Sequence, residues 1–249
     1  MKARSPDVVL EATGMTKRFG GVIAVKDVSL DVREHEVTGL IGPNGSGKTT
    51  TFSMIGGTIR PDDGEVRLRG ESLSRRSPHE IARRGVVRTF QLTRVFPQMT
   101  VFENLTMRLG VRRTLAQDDL WELIHMVGLH VKLDAYAGEL SYGQQKLLDL
   151  VRAVSMKPAV LLLDEPFAGV NATMERRLVD LIRYIRRAHQ TSVFLIDHEM
   201  NVIMNLCDHI FVLANGSLIC AGEPTHVQND PATMEAYFGK GRITGPRSA

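Results

Sequence analysis

The apolar positions divide the chain into three stretches. In the first, Val8 to Glu11, Val28 to Val32 and Glu65 to Arg69 are short runs rich in β-branched residues and bounded by Gly, Asp or Pro. They predict an antiparallel β patch, with Pro61-Asp62-Asp63-Gly64 as a turn. Between them the apolar run Val37 to Ile41 leads through a Gly-rich segment into a helix expected from Lys48 to Ile55. From Thr100 to Lys157 the β signal fades, and Asp118 to Val127 and Gln145 to Val154 carry helical spacing. In the last stretch, Ala159 to Asp164, Ser192 to Asp197 and Ile210 to Ala214 read as buried strands, with a helix at Ala172 to Ala188 between the first two. Continuous apolar strands alternating with helices predict a parallel sheet covered on both faces. Asn215-Gly216 reads as a hairpin turn into Ser217 to Cys220, and a closing helix is expected at Pro231 to Phe238.

The segment after Val37 to Ile41 is Gly42-Pro43-Asn44-Gly45-Ser46-Gly47-Lys48-Thr49, which fits G-x-x-x-x-G-K-[ST] in the strand, loop, helix setting that this motif needs. Its glycines let consecutive backbone N–H groups point at phosphate oxygens, with the positive end of a helix dipole behind them. Asn44, Gly45, Ser46, Gly47, Lys48, Thr49 and Thr50 are therefore the candidates to hold a nucleotide. Lys48 would neutralise phosphate charge, and Thr49 would ligate Mg²⁺. The expected fold class is α/β, a P-loop NTPase core with a mostly parallel sheet, an antiparallel β subdomain and an inserted helical subdomain. Residues 1–249 are read as one unit, with the core in 1–99 and 158–240 and the helical part in 100–157.

Charge and cysteine content narrow the partners. With 31 Lys+Arg against 28 Asp+Glu the net charge is +3, too mild to argue for a nucleic-acid partner, and none is expected. Arg75-Arg76, Arg83-Arg84, Arg112-Arg113 and Arg186-Arg187 are short clusters of the kind found on solvated helix faces. The two cysteines, Cys207 and Cys220, are too few for a disulfide framework or a zinc site. Met1 to Asp7 has no apolar core of a signal peptide, and the longest aliphatic run, Val160 to Leu163, falls far short of the ~20 residues that cross a bilayer. The expectation is a cytosolic chain, or one that reaches a membrane through a partner.

Two further motifs carry chemistry. Leu161-Leu162-Leu163-Asp164-Glu165 is an apolar strand ending in two carboxylates, at the strand end where open α/β sheets bind ligands. Asp164 is a candidate to hold Mg²⁺, and Glu165 to polarise a water in line with a γ-phosphate. Neighbouring strand residues point oppositely, so the pair converges only if a turn intervenes, which Pro166 is expected to provide. Ser141-Tyr142-Gly143-Gln144 has the spacing of a reciprocal capping box and predicts a helix start, a second place where an anion would be welcome.

Taken together, these residues resemble the nucleotide-binding domain of ABC transporters over nearly the whole chain. Leu140 to Gln144 is similar to that family's signature sequence, with Tyr142 where the commonest form has a second glycine. The resemblance implies that ATP and Mg²⁺ are bound, and that Ser141, Gly143 and Gln144 close over the ATP of a second nucleotide-binding subunit. It also implies that Gln91 reaches the metal and the attacking water, that His198 contacts the γ-phosphate, and that Phe19 stacks on adenine. Gln91, Glu165 and His198 are thus the catalytic candidates, and Thr49, Gln91 and Asp164 the metal candidates. Ala168-Gly169-Val170-Asn171 departs from the family's usual Ser-Ala-Leu-Asp.

Within the family, Arg18-Phe19-Gly20-Gly21, Gly85-Val86-Val87-Arg88-Thr89-Phe90-Gln91, Leu140 to Gln145, Asp230-Pro231 and Ala236-Tyr237-Phe238-Gly239 look like the ATP-binding subunits of branched-chain amino acid importers. Urea and short-chain amide importers share much of this pattern. The resemblance implies integral membrane permease subunits, a substrate-binding protein reached through them, and a place on the cytoplasmic face of the membrane. Leu92 to Asn104, with Phe96, Met99 and Phe102, is similar in position to the surface that receives a permease. The competing readings are a lipopolysaccharide-type exporter ATPase, a non-transport ABC ATPase and a nucleotide kinase.

Overall fold

Apolar strands with no polar alternation do form a doubly covered parallel sheet. The computed structural model describes residues 7–89, 93–107 and 115–238. Along the chain run β1 (Val8–Phe19), β2 (Val22–Arg33), β3 (Val37–Ile41), α1 (Lys48–Ile55), β4 (Asp63–Leu68), β5 (Glu71–Ser72), α2 (Pro78–Arg84) and β6 (Val86–Arg88). Next come α3 (Val101–Thr106), α4 (Gln117–Met126), α5 (Tyr142–Ser155), β7 (Val160–Asp164), α6 (Ala172–Ala188) and β8 (Ser192–Ile196). The described chain closes with α7 (Met200–Leu206), β9 (His209–Ala214), β10 (Ser217–Gly222), α8 (Pro224–Asn229) and α9 (Pro231–Phe238).

One sheet has the order β10-β9-β3-β8-β7-β6 and the other β2-β1-β4-β5. In the first, β3 pairs in parallel with β8 and β9, and β7 with β8 and β6, while β9 and β10 form the antiparallel hairpin. All five residues of each of β3, β7 and β8 are buried. Leu40, Leu162 and Phe194 face α1 and the antiparallel sheet, where Phe52 meets Phe194 at 4.8 Å between ring centroids. Ile41, Leu161, Leu163 and Leu195 face the other way, into a core shared with Leu147 and Val151 of α5 and Leu178 and Leu181 of α6. Within the stretch 100–157, α5 therefore packs straight onto the sheet.

Two features exceed the sequence expectation. β1 and β2 run 12 residues each, well past the β-branched cores that announced them. Their register shifts at Ala12/Met15, beside Gly14 and Asp27 with φ of 62° and 51°, so bulges break the alternation that marks a strand. α2 is also new: Ser77 accepts from the Glu80 N–H, the Glu80 side chain reaches back, Pro78 opens the helix, and Gly85 ends it at φ 110°.

The topology sets three parallel strand ends side by side. β3 opens into the glycine loop, β7 ends at Asp164, and β8 runs into Asp197 and His198. In open α/β sheets that edge is where ligands sit.

Candidate functional site

The loop after β3 needs glycine for two different reasons. A Cβ on Gly42 would lie 2.1 Å from the Leu213 carbonyl oxygen of β9, and one on Gly47 (φ 101°) would lie 2.5 Å from that of Ala24 in β2. Gly45 (φ 77°) instead faces open space. The first two glycines let neighbouring strands crowd the loop; the third keeps its mouth clear. Gly47→Ala combines left-handed strain with that backbone clash, so it is expected to cost about 2–4 kcal/mol, read as a lowered urea midpoint with unchanged m-value.

Gly47 is also the N-cap of α1, and no side chain caps that end. The first N–H groups of the helix thus face the cleft. Lys48 is 6% exposed, and its Nζ donates to the carbonyls of Gly42 (2.7 Å) and Pro43 (2.9 Å). Burial pulls its pKa down, and the Glu165 charge opposes that pull. Asn44 through Thr50 line a cavity of about 210 Å³ together with Ala24, Glu165 and His198.

Glu165 enters this cleft because its own backbone turns. At φ 49° it leaves the strand geometry that Asp164 keeps, so the turn falls one residue before Pro166, where the sequence had placed it. Its N–H is held by the Ile196 carbonyl at 2.8 Å, and its Oε1 lies 2.7 Å from Nε2 of His198. Behind the pair sits Asp197, 3% exposed, whose carboxylate accepts from the N–H groups of Phe167 (2.9 Å), His198 (2.7 Å) and Glu199 (3.1 Å). Asp197 fixes both loops at once, a role that no local pattern announced.

Asp164 does not line the cavity. Its Oδ2 takes the Arg88 Nη2 at 2.5 Å, both side chains are about one-tenth exposed or less, and Arg88 also donates to Ser53 Oγ at 3.2 Å. The sequence clue to Arg88 is a lone cation closing the apolar strand Val86-Val87-Arg88. Thr49 and Glu165 bring a set of hard oxygen donors to this cavity, where Ser46 Oγ is buried without a hydrogen-bond partner, while the Asp164 carboxylate lies outside the lining, paired with Arg88. Such a set suits a small divalent cation such as Mg²⁺. Gln91, the third metal candidate, lies outside the described residues.

Ser141, Gly143 and Gln144 do not line the cleft either. Ser141 caps α5 by accepting from the Gln144 N–H (3.4 Å), and the Gln144 side chain accepts from the Ser141 N–H (3.0 Å). Gly143 has no room for a side chain: a Cβ there would be 2.8 Å from Met174 in the first turn of α6. Asn171 caps α6 by accepting from the Met174 N–H at 2.9 Å, which is what the departure at Ala168 to Asn171 does locally. Phe19 ends β1, 48% exposed, with Lys17 Nζ 5.7 Å above its ring, and it too stands apart from the cavity lining.

A glycine loop, a strand-end Glu165 and the facing His198 in this topology are those of an ATP-binding cassette. The model of the ABC transporter family matches residues 25–168, and the chain belongs to that family and is one of its ATPases. It is 38% identical over 252 residues to the high-affinity branched-chain amino acid transport ATP-binding protein BraF of Pseudomonas aeruginosa, covering 93% of this chain and 98% of that one. To LivG of Salmonella typhimurium, which carries the same functional description, it is 37% identical with the same coverage. Among solved structures, the ADP conformation of an ATP-binding cassette of an ABC transporter superposes with a TM-score of 0.81 at 30% identity, covering 94% of this chain and 99% of that one.

Proposed function

We propose that this chain binds ATP and Mg²⁺ in the cleft between Asn44–Thr50 and Glu165–His198, and that the first turn of α5 from a second such subunit completes the site. The observation that carries this reading is a separation. Lys48, Thr49, Glu165 and His198 share one cavity, whereas Ser141, Gly143 and Gln144 form a capped helix start outside it. Thr49, Gln91 and, once released from Arg88, Asp164 would hold the metal, which would supply positive charge to the phosphates when bound. Lys48 turns from the Gly42 and Pro43 carbonyls to the phosphates, Glu165 accepts the proton of the attacking water, and His198 holds the γ-phosphate opposite it. Phe19 stacks on adenine. Phe19→Ala is expected to raise the KM for ATP about 3–10-fold, with Phe19→Tyr near wild type, in steady-state phosphate-release assays.

The fuel is spent on import of branched-chain or related amino acids. The names of the relatives support this substrate class, as does the resemblance carried by Gly85 to Gln91 and Leu140 to Gln145. No helix among the described residues is long and apolar enough to cross a membrane. By the relatives' description as transport ATP-binding proteins, attachment is read as peripheral, on the cytoplasmic face, through integral permease subunits that a substrate-binding protein loads from the other side. The test is purification from membranes through a tag on this chain, then ATPase assay of the complex in proteoliposomes with its substrate-binding protein. Leucine, isoleucine or valine should stimulate turnover. Stimulation by urea or lipopolysaccharide with none by these amino acids would refute the substrate class.

A further inference from the structure

We propose that Lys146 is a positioning residue for ATP hydrolysis: from the second turn of α5 it fixes the backbone turn that sets the Glu165 carboxylate. The inference rests on the reading of Glu165 given above.

Lys146 is 7% exposed, and its Nζ donates to three carbonyls, those of Glu165 (3.1 Å), Pro166 (2.9 Å) and Ala168 (2.7 Å). An ammonium has three protons, and all three are used on one short loop. Three carbonyl dipoles aimed at one point repel each other unless a cation sits there. The loop they belong to departs from its strand through the left-handed backbone of Glu165, a conformation that persists only where its surroundings enforce it. On the N–H side that enforcement comes from β8 and Asp197, through the bonds to Glu165 and Phe167. On the carbonyl side it comes from Lys146.

The ammonium makes no ion pair among the described contacts; its partners are neutral oxygens, and burial lowers its pKa against the opposing charges of Asp197 and Glu165. A cation kept in that setting is expensive where stability alone is concerned. The helix that carries it is the one that Ser141 caps and whose first turn holds Gly143, so Lys146 ties the signature helix to the Glu165 loop. Tyr142 reinforces the joint, its ring 5.2 Å from Nζ and its edge 3.4 Å from where a Cβ on Gly169 would stand.

The test is a double-mutant cycle on the full chain. Lys146→Met is expected to lower kcat about 10–100-fold with the KM for ATP within threefold of wild type, because the carboxylate is misplaced while the phosphate loop is untouched. Lys146→Arg should recover most of the loss. Glu165→Gln/Lys146→Met should be no slower than Glu165→Gln alone, since Lys146 acts through Glu165. Should the Met variant fail to melt cooperatively, Lys146→Gln, a shorter neutral donor, takes its place in the cycle. A kcat within threefold of wild type, or losses that multiply in the double variant, would overturn the proposal. Turnover retained in Glu165→Gln alone counts against the reading of Glu165. Turnover lost there but kept in Lys146→Met counts against Lys146 only.

Discussion

Glu165→Gln should lower ATP turnover at least about a hundredfold while leaving ATP binding intact. The amide keeps the size and one acceptor oxygen of the carboxylate, so the contact with His198 Nε2, now 2.7 Å, survives through a chosen tautomer. What is lost is the negative oxygen that takes a proton from water. The phosphate loop is shaped by other contacts: Lys48 bonds the Gly42 and Pro43 carbonyls, and the glycines are set by β2 and β9. Removing the carboxylate also relieves the developing repulsion between Glu165 and a γ-phosphate. The variant should therefore accumulate as an ATP-bound dimer, visible by size-exclusion chromatography with ATP and absent without it. Phosphate release near the wild-type rate would remove Glu165 from the mechanism.

The second large effect is expected from Ser141→Arg, which should depress turnover about 50-fold or more in a chain whose own phosphate loop is intact. The substitution removes the cap on α5, worth about 1 kcal/mol, and puts a long side chain where the partner's γ-phosphate would come to rest. Its own Lys48 and Thr49 lie in a cavity that Ser141 does not line, so binding of an ATP analogue to the monomer should stay within about threefold of wild type. Ser141→Ala separates the two causes. It loses the cap with no intruding side chain, and it should lower the thermal midpoint by a few degrees yet keep most of the turnover. In the Glu165→Gln background, Ser141→Arg should abolish the ATP-dependent dimer. Loss of ATP binding in Ser141→Arg itself would place Ser141 in its own chain's site and contradict the shared cleft.

What the sequence disclosed follows from how far each residue reaches for its partner. The phosphate loop, the capping box at Ser141 and the apolar strand before Asp164 are local patterns, and each lies where its spacing placed it. α2 has an equally local signature in Ser77, Pro78 and Glu80, though its seven residues are too short to show helical periodicity. Lys146, Asp197 and Arg88 were out of reach for a different reason. Their partners lie 19 to 22, 30 and 76 positions away, and a lone Lys in a helix or Arg in a strand has no pattern that tells a structural role from a solvated one. The long β1–β2 hairpin was hidden by bulges, which break period-two alternation where the strands pass the phosphate loop. The Glu165 turn was expected at Pro166, because proline advertises a bend, whereas a left-handed glutamate does not.

The Ser141→Arg effect and the ATP-bound dimer of Glu165→Gln both assume that neither chain hydrolyses ATP alone. The most direct measurement is the turnover number per chain, with saturating ATP and Mg²⁺, across a dilution series that sedimentation shows to pass from dimer to monomer. A shared site predicts that turnover per chain falls with the dimer fraction and approaches background in the monomer. Constant turnover per chain through the monomer range would show that one chain holds a complete site, and would contradict the central claim.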